Sequence, residues 1–319
     1  MSTLPNLVRS QFKAAQGAGD LTFYSTQVAI LICNGFTFQL RFSPSLANKP
    51  KSAKKSTSKP FDPFETPQRG LFVTNIGLSH YLVLNKFPVI PDHFILATTK
   101  FKEQTDLLEE DDIEATYKCI KGYREAGEEL FGFFNSGEHS GASQRHRHIQ
   151  FLPVQSMRSG IEESSEWTVL ADTLLQKTGL PFQYFASPVS PSPSSSQLHS
   201  LYTSMYHQAR ELMTTLPVRS GDTHASSPEN NESSTISYNM AFTENAMILC
   251  PRLSEGPQIA SATGELIGPI ALNGTILGGT LLVKTEEEWQ SLRDNPLRLK
   301  DVLGAIGFPS RESEKNQRL

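Results

Sequence analysis

Apolar and polar positions change period several times along the chain, and each change predicts an element. Residues 21–46 set β-branched and aromatic side chains against polar ones and break at Asn34-Gly35. That pair suits the positive φ angles of a two-residue turn, so a strand hairpin is predicted. Residues 79–97 read as two more strands around Pro88-Val-Ile-Pro91. Between 105 and 131, Ile113, Tyr117 and Ile120 recur at i, i+4 and i+7. This is a helical face, with Thr105 or Asp106 as its cap and acids in its first turns. Residues 131–154 return to a strand-like alternation. Helices are predicted over 165–185 and 197–215, and paired strands at Tyr238–Thr243 and Met247–Arg252. A Gly-rich turn follows within 264–284, and a last helix over Glu286–Leu303. Hairpins with helices between them are not a βαβ repeat, so the fold class is α+β with a mainly antiparallel sheet and packed helices.

Three stretches show no apolar period. Lys49–Lys59 is rich in Lys, Ser, Pro and Thr and reads as a mobile basic loop, either a solvated linker or a lid that brings lysines to a polyanion. Residues 187–196 and 219–234 are Ser- and Pro-rich and cannot bury apolar area, which predicts two flexible insertions. The charged tail 310–319 is expected to be disordered. The organisation expected is a catalytic half over 1–160 and a second half over 161–309 that completes the sheet and the substrate site.

The formal net charge of −4 gives no field that favours nucleic acid or an anionic membrane, so any anion site must be built locally. Cys33, Cys119 and Cys250 are scattered, with no CxxC pair, and suggest neither a disulfide framework nor a cysteine zinc site. The N-terminus lacks the charged start and apolar run of a signal peptide, and apolar stretches such as Val28–Cys33 are too short to span a bilayer. A cytoplasmic or nuclear protein is expected, with neither nucleic acid nor membrane as partner. Neither a GxGxxG turn nor a GxxxxGK[ST] loop is present.

The chemistry lies in Gly141-Ala-Ser-Gln-Arg-His-Arg-His-Ile-Gln150. On a strand, His146, His148 and Gln150 would share one surface, while Arg145, Arg147 and Ile149 face the other. Ser140-Gly-Ala-Ser-Gln144 is small and polar and can aim backbone N–H groups and hydroxyls at phosphate oxygens. A neutral imidazole is a nucleophile near pH 7, because its unperturbed pKa is about 6.5. Attack on phosphorus gives a phosphoramidate and divides one difficult transfer into two steps. The nitrogen that does not attack must keep its proton and donate it to a carbonyl or side chain. Gln150 can donate to a phosphate oxygen but cannot act as an acid, and Ser140, Ser143 and Gln144 could stabilise developing charge. Two other readings stand beside this one: a His-x-His metal pair, completed by Glu138 and His139, or structural histidines in a polar strand.

At these residues the sequence resembles the histidine-triad superfamily in its galactose-1-phosphate uridylyltransferase branch, and within it the fungal ATP adenylyltransferases, or diadenosine tetraphosphate phosphorylases. Those carry Gly-Ala-Ser-Gln followed by His-x-His-x-Gln, as here without a gap. The likeness extends to Pro44–Pro50, Leu82–Phe87, the long helix and Gly278–Lys284. It implies a histidine-triad-like sheet and a nucleotidyltransferase in which His148 takes the adenylyl group. Gln150, in place of the third histidine of the hydrolytic relatives, would hold the phosphate, and His146 would also contact substrate. Asn135 and the turn Gly141, Ala142, Ser143 and Gln144 would contact phosphates. Asn85 and Lys86 would lie at the nucleoside, and Lys49 would be the substrate lysine, with Lys54 and Lys55 as alternatives. Asn273, Gly274, Thr275, Thr280 and Lys284 would complete the site, although Asn273-Gly-Thr275 also reads as a hairpin turn. Arg145 and Arg147 flank the histidines, so the pattern between them is not the usual Pro-containing one.

The reaction implied is phosphorolysis of diadenosine tetraphosphate by phosphate to ATP and ADP, reversible, with adenylyl sulfate as another donor. The partners are then small nucleotides (diadenosine tetraphosphate, ATP, ADP and phosphate), and the chain is a monomer or homodimer. No cofactor is required, though a divalent cation such as Mg can accompany the polyphosphate. The zinc cysteines of the galactose branch are missing, so no metal site is expected. The alternatives are a uridylyl transferase or hydrolase on the same scaffold, and a nucleotide-binding protein without catalysis.

Overall fold

The computed structural model describes residues 2–45, 61–215, 236–260 and 265–310. Helix α1 (Leu4–Ala18) leads, followed by strands β1 (Gln27–Cys33), β2 (Phe36–Phe42), β3 (Phe72–Ile76), β4 (His80–Leu84) and β5 (Phe94–Thr98). Next come helix α2 (Glu110–Arg124), strands β6 (Leu130–Ser136) and β7 (His148–Pro153), and the short helices α3 (Val154–Met157) and α4 (Leu170–Thr173). Then follow β8 (Phe185–Pro188), α5 (Ser195–Thr214), β9 (Tyr238–Phe242), β10 (Ala246–Pro251), β11 (Gln258–Ala260), β12 (Leu266–Pro269) and β13 (Thr280–Val283). Helices α6 (Glu286–Asp294) and α7 (Leu297–Gly304) close the fold.

Eight strands form one sheet in the order β3-β4-β5-β7-β6-β9-β10-β8. Every ladder in it is antiparallel, as the hairpin pattern predicts. Because β6 pairs with β9, strands from the two halves of the sequence share this sheet. A second sheet, β1-β2-β13, holds one parallel pair, β2 with β13. The predicted hairpin at Asn34-Gly35 is present, with Asn34 at φ 50° and Gly35 at φ 78°.

Alternation along the strands divides the interior in two. Phe94, Phe134, Ile149, Phe151 and Met240 face α1, α2 and α5. Phe131, Phe133, Leu152, Ala241 and Ile248 face the other way, toward the three-stranded sheet and α4, α6 and α7. Burying one such side chain is worth about 1.5–3 kcal/mol, so a one-residue slip of β6 or β7 would exchange both cores and is strongly resisted. The face of β7 that carries His148 and Gln150 is the second one.

Several expectations are corrected. Helix α1 was not assigned from the sequence, yet Val8, Phe12 and Ala15 give it a buried stripe and Gly19, at φ 78°, ends it. The helix expected over 105–131 runs from Glu110 to Arg124. Its start is set by the Asp112 carboxylate, which accepts the Glu109 N–H at 2.8 Å, rather than by Thr105 or Asp106. The helix expected over 165–185 shrinks to α4, because Trp167, Leu170 and Ala171 are drawn into the second core and Gly179 and Pro181 follow. Helix 286–303 is two helices, broken at Asn295-Pro296, where proline has no N–H to continue the ladder. Residues 187–196 are not a flexible insertion: Ser187 and Pro188 pair with β10, and Ser194 caps α5 by accepting the Gln197 N–H. Strand pairing, the Ser194 cap and burial of Val189 in the first core order the segment. Residues 46–60, 216–235, 261–264 and 311–319, and with them Lys49, Lys54, Lys55, the 219–234 insertion and nearly all of the tail, lie outside the described residues.

Candidate active site

The β6–β7 ladder runs from Leu130↔Pro153 to Phe133↔Gln150 and then opens toward the site. Gln104 bridges the opening. Its Oε1 accepts the His148 N–H at 2.8 Å, while its Nε2 donates to the carbonyls of Asn135 at 2.8 Å and His148 at 3.1 Å. Arg147 points to the helix face, as alternation predicts, and donates to the buried Asp112 carboxylate at 2.7 Å. His80 Nε2 lies 2.7 Å from the other oxygen of Asp112. With Asp111 these residues are the one metal-like cluster among the described residues, but the guanidinium already occupies the carboxylate that a cation would need.

His148 lies on the opposite face, 4% exposed. Its Nδ1 is 2.8 Å from the carbonyl of His146. A carbonyl only accepts, so Nδ1 carries the proton and Nε2 carries the lone pair. Burial, with the adjacent His146, pushes the imidazole down to about 4, so it is neutral at physiological pH. The ring of Phe64 packs on the imidazole face, with centroids 5.0 Å apart at 31°, and leaves the in-plane edge of Nε2 clear of that contact.

Two residues along the strand, about 7 Å away at normal strand rise, Gln150 enters a cavity of about 660 Å³. That volume suits a small-molecule ligand. Asn85, Gly141, Ala142, Ser143, Asn273, Thr275, Thr280 and Lys284, all singled out from the sequence, also line it. A directed chain of hydrogen bonds ends at Gln150. Phe87 N–H donates to Asn85 Oδ1 at 2.9 Å, and Asn85 Nδ2 donates to His93 Nδ1 at 3.1 Å. An amide NH₂ only donates, so His93 carries its proton on Nε2, which gives it to Gln150 Oε1 at 3.1 Å. Burial pushes His93 down to about 4 and keeps it neutral. The Gln150 amide is thereby turned with its NH₂ free for an anion.

The Gly141 turn is set against the Asn273 turn. Gly141 has φ 78°, and a Cβ there would meet Asn273 Cβ at 2.8 Å. Asn239 Nδ2 donates to the Ser140 carbonyl and to Asn135 Oδ1, both at 2.9 Å, and Asn135 Oδ1 also accepts the Gly274 N–H at 2.8 Å. Arg252, fully buried, bonds Asn239 and the carbonyls of Ser254, Glu255 and Leu272. Asn273 Oδ1 accepts from the N–H and hydroxyl of Thr275 and so caps a 3-10 turn over Gly274–Gly278; the segment does not close a hairpin, and Asn273 and Thr275 line the cavity.

The remaining sequence candidates stand off the wall. Asn135 and Gly274 are buried behind it, Lys86 bonds Gln68 at the surface, and Gln144 follows the turn without lining the cavity. His146 is buried between Asp62 and Thr98. Sequence reasoning missed Asp62, His93, Gln104, Asn239 and Arg252. Buried polar residues inside apolar strands were the available signal for Asn239 and Arg252. Arg41 was missed as well. It borders the cavity, 1% exposed, and donates to Gln39 Oε1, Thr26 Oγ1 and the carbonyls of Met157 and Ser159, with no carboxylate partner among the described residues. With Lys284 on the same wall, the cavity holds two cations against Glu255.

Comparison with known proteins decides the family. Residues 1–165 match the Ap4A phosphorylase N-terminal domain, and residues 178–309 the ATP adenylyltransferase C-terminal domain. The chain belongs to the Ap4A phosphorylase family. It is a nucleotidyltransferase. Among curated relatives of this phosphorylase-family member, diadenosine 5',5'''-P1,P4-tetraphosphate phosphorylase 2 of Saccharomyces cerevisiae is 30% identical, over 98% of this chain and 97% of that one. Protein APA1 of the same yeast is 27% identical, over 98% and 96%. The structure of yeast Ap4A phosphorylase Apa2 in complex with AMP matches with a TM-score of 0.74 and 25% identity, over 97% of both chains. The same yeast enzyme in complex with Ap4A shares the fold at a TM-score of 0.74. Among the described residues no helix is long and apolar enough to cross a membrane.

Proposed function

We propose that this chain carries out reversible phosphorolysis of diadenosine tetraphosphate through an adenylyl group held on His148 Nε2. The observation that carries the proposal is the 2.8 Å contact of His148 Nδ1 with the His146 carbonyl, which leaves Nε2 unprotonated; His148 itself is not in the cavity wall but stands two strand positions from Gln150, which is. In the first step Nε2 forms a bond to an α-phosphorus and the bond from phosphorus to the departing ATP oxygen breaks. The ring keeps its Nδ1 proton, now on a phosphorylated imidazolium stabilised by the carbonyl. In the second step an oxygen of inorganic phosphate attacks the same phosphorus, the N–P bond breaks, ADP leaves and the imidazole is neutral again.

Gln150 would donate its free NH₂ to a non-bridging oxygen, and the Gly141–Gln144 turn would contribute backbone and hydroxyl donors. Arg41 and Lys284 would balance the remaining phosphate charge, and Thr280, whose Oγ1 has no partner among the described residues, offers one more donor. The test is mass spectrometry of protein quenched with diadenosine tetraphosphate in the absence of phosphate. AMP attached at His148 is expected, and with phosphate added, ATP and ADP in equal amounts. Turnover without any adduct, or two ADP per dinucleotide, refutes the proposal.

A further inference from the structure

Residues 61–65 cross directly over both histidines. Asp62 Oδ1 accepts the Phe64 N–H at 2.9 Å, which closes a tight turn, and the Phe64 carbonyl accepts the Tyr81 hydroxyl proton at 2.7 Å. A turn of that kind needs only one carboxylate oxygen. The other, Oδ2, lies 2.7 Å from His146 Nδ1. On the far side of the ring, His146 Nε2 lies 2.8 Å from the Thr98 carbonyl and 3.0 Å from its hydroxyl. The ring is therefore held at both nitrogens. It is also boxed by aromatic edges, Phe64 at 5.8 Å and Phe101 at 5.4 Å between centroids. With 2% of its surface exposed, His146 is enclosed as well as held. The carbonyl of this immobilised residue is the acceptor that selects the His148 tautomer.

We propose that Asp62 is a positioning residue for nucleotidyl transfer. It clamps His146, and through His146 it keeps the carbonyl aligned with His148 Nδ1 and the attacking nitrogen unprotonated. The same short segment lays Phe64 on the His148 ring and so restricts its rotation. The inference rests on His148 being the nucleophile. Outer partners that orient a ligand imidazole typically matter by about 10–100-fold when removed, and a wrong tautomer costs more.

The experiment compares Asp62→Ala and Asp62→Asn with the parent protein. The single-turnover rate of adenylylation by diadenosine tetraphosphate without phosphate is read by rapid quench, together with the burst amplitude, KM, and the ¹⁵N spectrum of histidine-labelled protein. Asp62→Ala is expected to slow the transfer by about 10–100-fold while burst amplitude and KM stay near those of the parent, and to mix the two His148 tautomers in the spectrum. Asp62→Asn retains an acceptor for the Phe64 N–H and a partner for His146 Nδ1, and is expected to restore most of the rate and the single tautomer. A burst amplitude that falls while the rate per competent site is unchanged would show a purely structural role and overturn the inference. So would an unaltered tautomer in Asp62→Ala. If the parent protein forms no adduct, the nucleophile reading fails by itself, and the tautomer comparison still decides whether Asp62 governs His148.

Discussion

Replacing His93 with phenylalanine removes the middle of the chain that orients Gln150 while keeping a planar ring of similar width. Two polar groups then lose their partners, Asn85 Nδ2 and Gln150 Oε1. Both lie at the cavity, where solvent reaches in part, so each loss falls at the lower end of the about 1–3 kcal/mol of an unsatisfied buried group. A stability loss of about 2–3 kcal/mol follows, which in a chain of this size lowers Tm by about 3–5 °C. The catalytic effect has a ceiling. Removing the donor outright by Gln150→Ala costs roughly 100–1,000-fold if its NH₂ meets the developing charge. His93→Phe leaves the amide in place but free to flip, so its loss must be smaller, on the order of 10-fold. A double-mutant cycle separates orientation from general damage. With Gln150 already alanine, His93→Phe should cost almost nothing further in the adenylylation rate, although its effect on Tm remains. The assay is single-turnover adenylylation of the four proteins, each normalised to burst amplitude. Rate effects that multiply independently in the double variant would refute the relay and leave His93 as a packing residue.

Burial holds His148 and His93 down at about 4, against about 6.5 in an unfolded chain. The nucleophile therefore stays neutral as pH falls, and the acid limb of the adenylylation rate should lie near pH 4; a limb near 6.5 would contradict the burial argument. Because the unfolded state takes up these protons first, stability should be flat above about pH 6.5 and decline from there toward about 4, as denaturant midpoints across that window would show. Asp112→Ala should destabilise by about 3–5 kcal/mol, since it leaves the Arg147 cation buried with only the exposed Glu109 and Asp106 nearby. Urea unfolding measures it, and a loss under 1 kcal/mol would mean that Arg147 escapes to water.

Much of the architecture was readable along the chain because it depends on local rules. Short apolar runs located β4–β5 and β9–β10, period-2 alternation located β7, and Asn34-Gly35 announced the first hairpin. The helix spans failed where a competing local cap, the second core or a proline intervened. Asp112 moved the start of α2, the second core pulled 165–185 out of helix, and Pro296 divided the last one. The site followed the same division. Strand alternation alone put His148 and Gln150 on one face and Arg147 on the other, and the Gly141–Gln150 string alone pointed to chemistry on phosphorus.

What sequence could not supply was every partner that arrives from elsewhere in the chain. His93 reaches Gln150 across 57 positions, Asp62 reaches His146 across 84, and Asn135 receives the Gly274 N–H across 139. Residue type and spacing state which groups are able to react. Protonation state and the direction of each donor are set by hydrogen-bonded neighbours, and apart from local ones such as the His146 carbonyl these become adjacent only when the sheet closes.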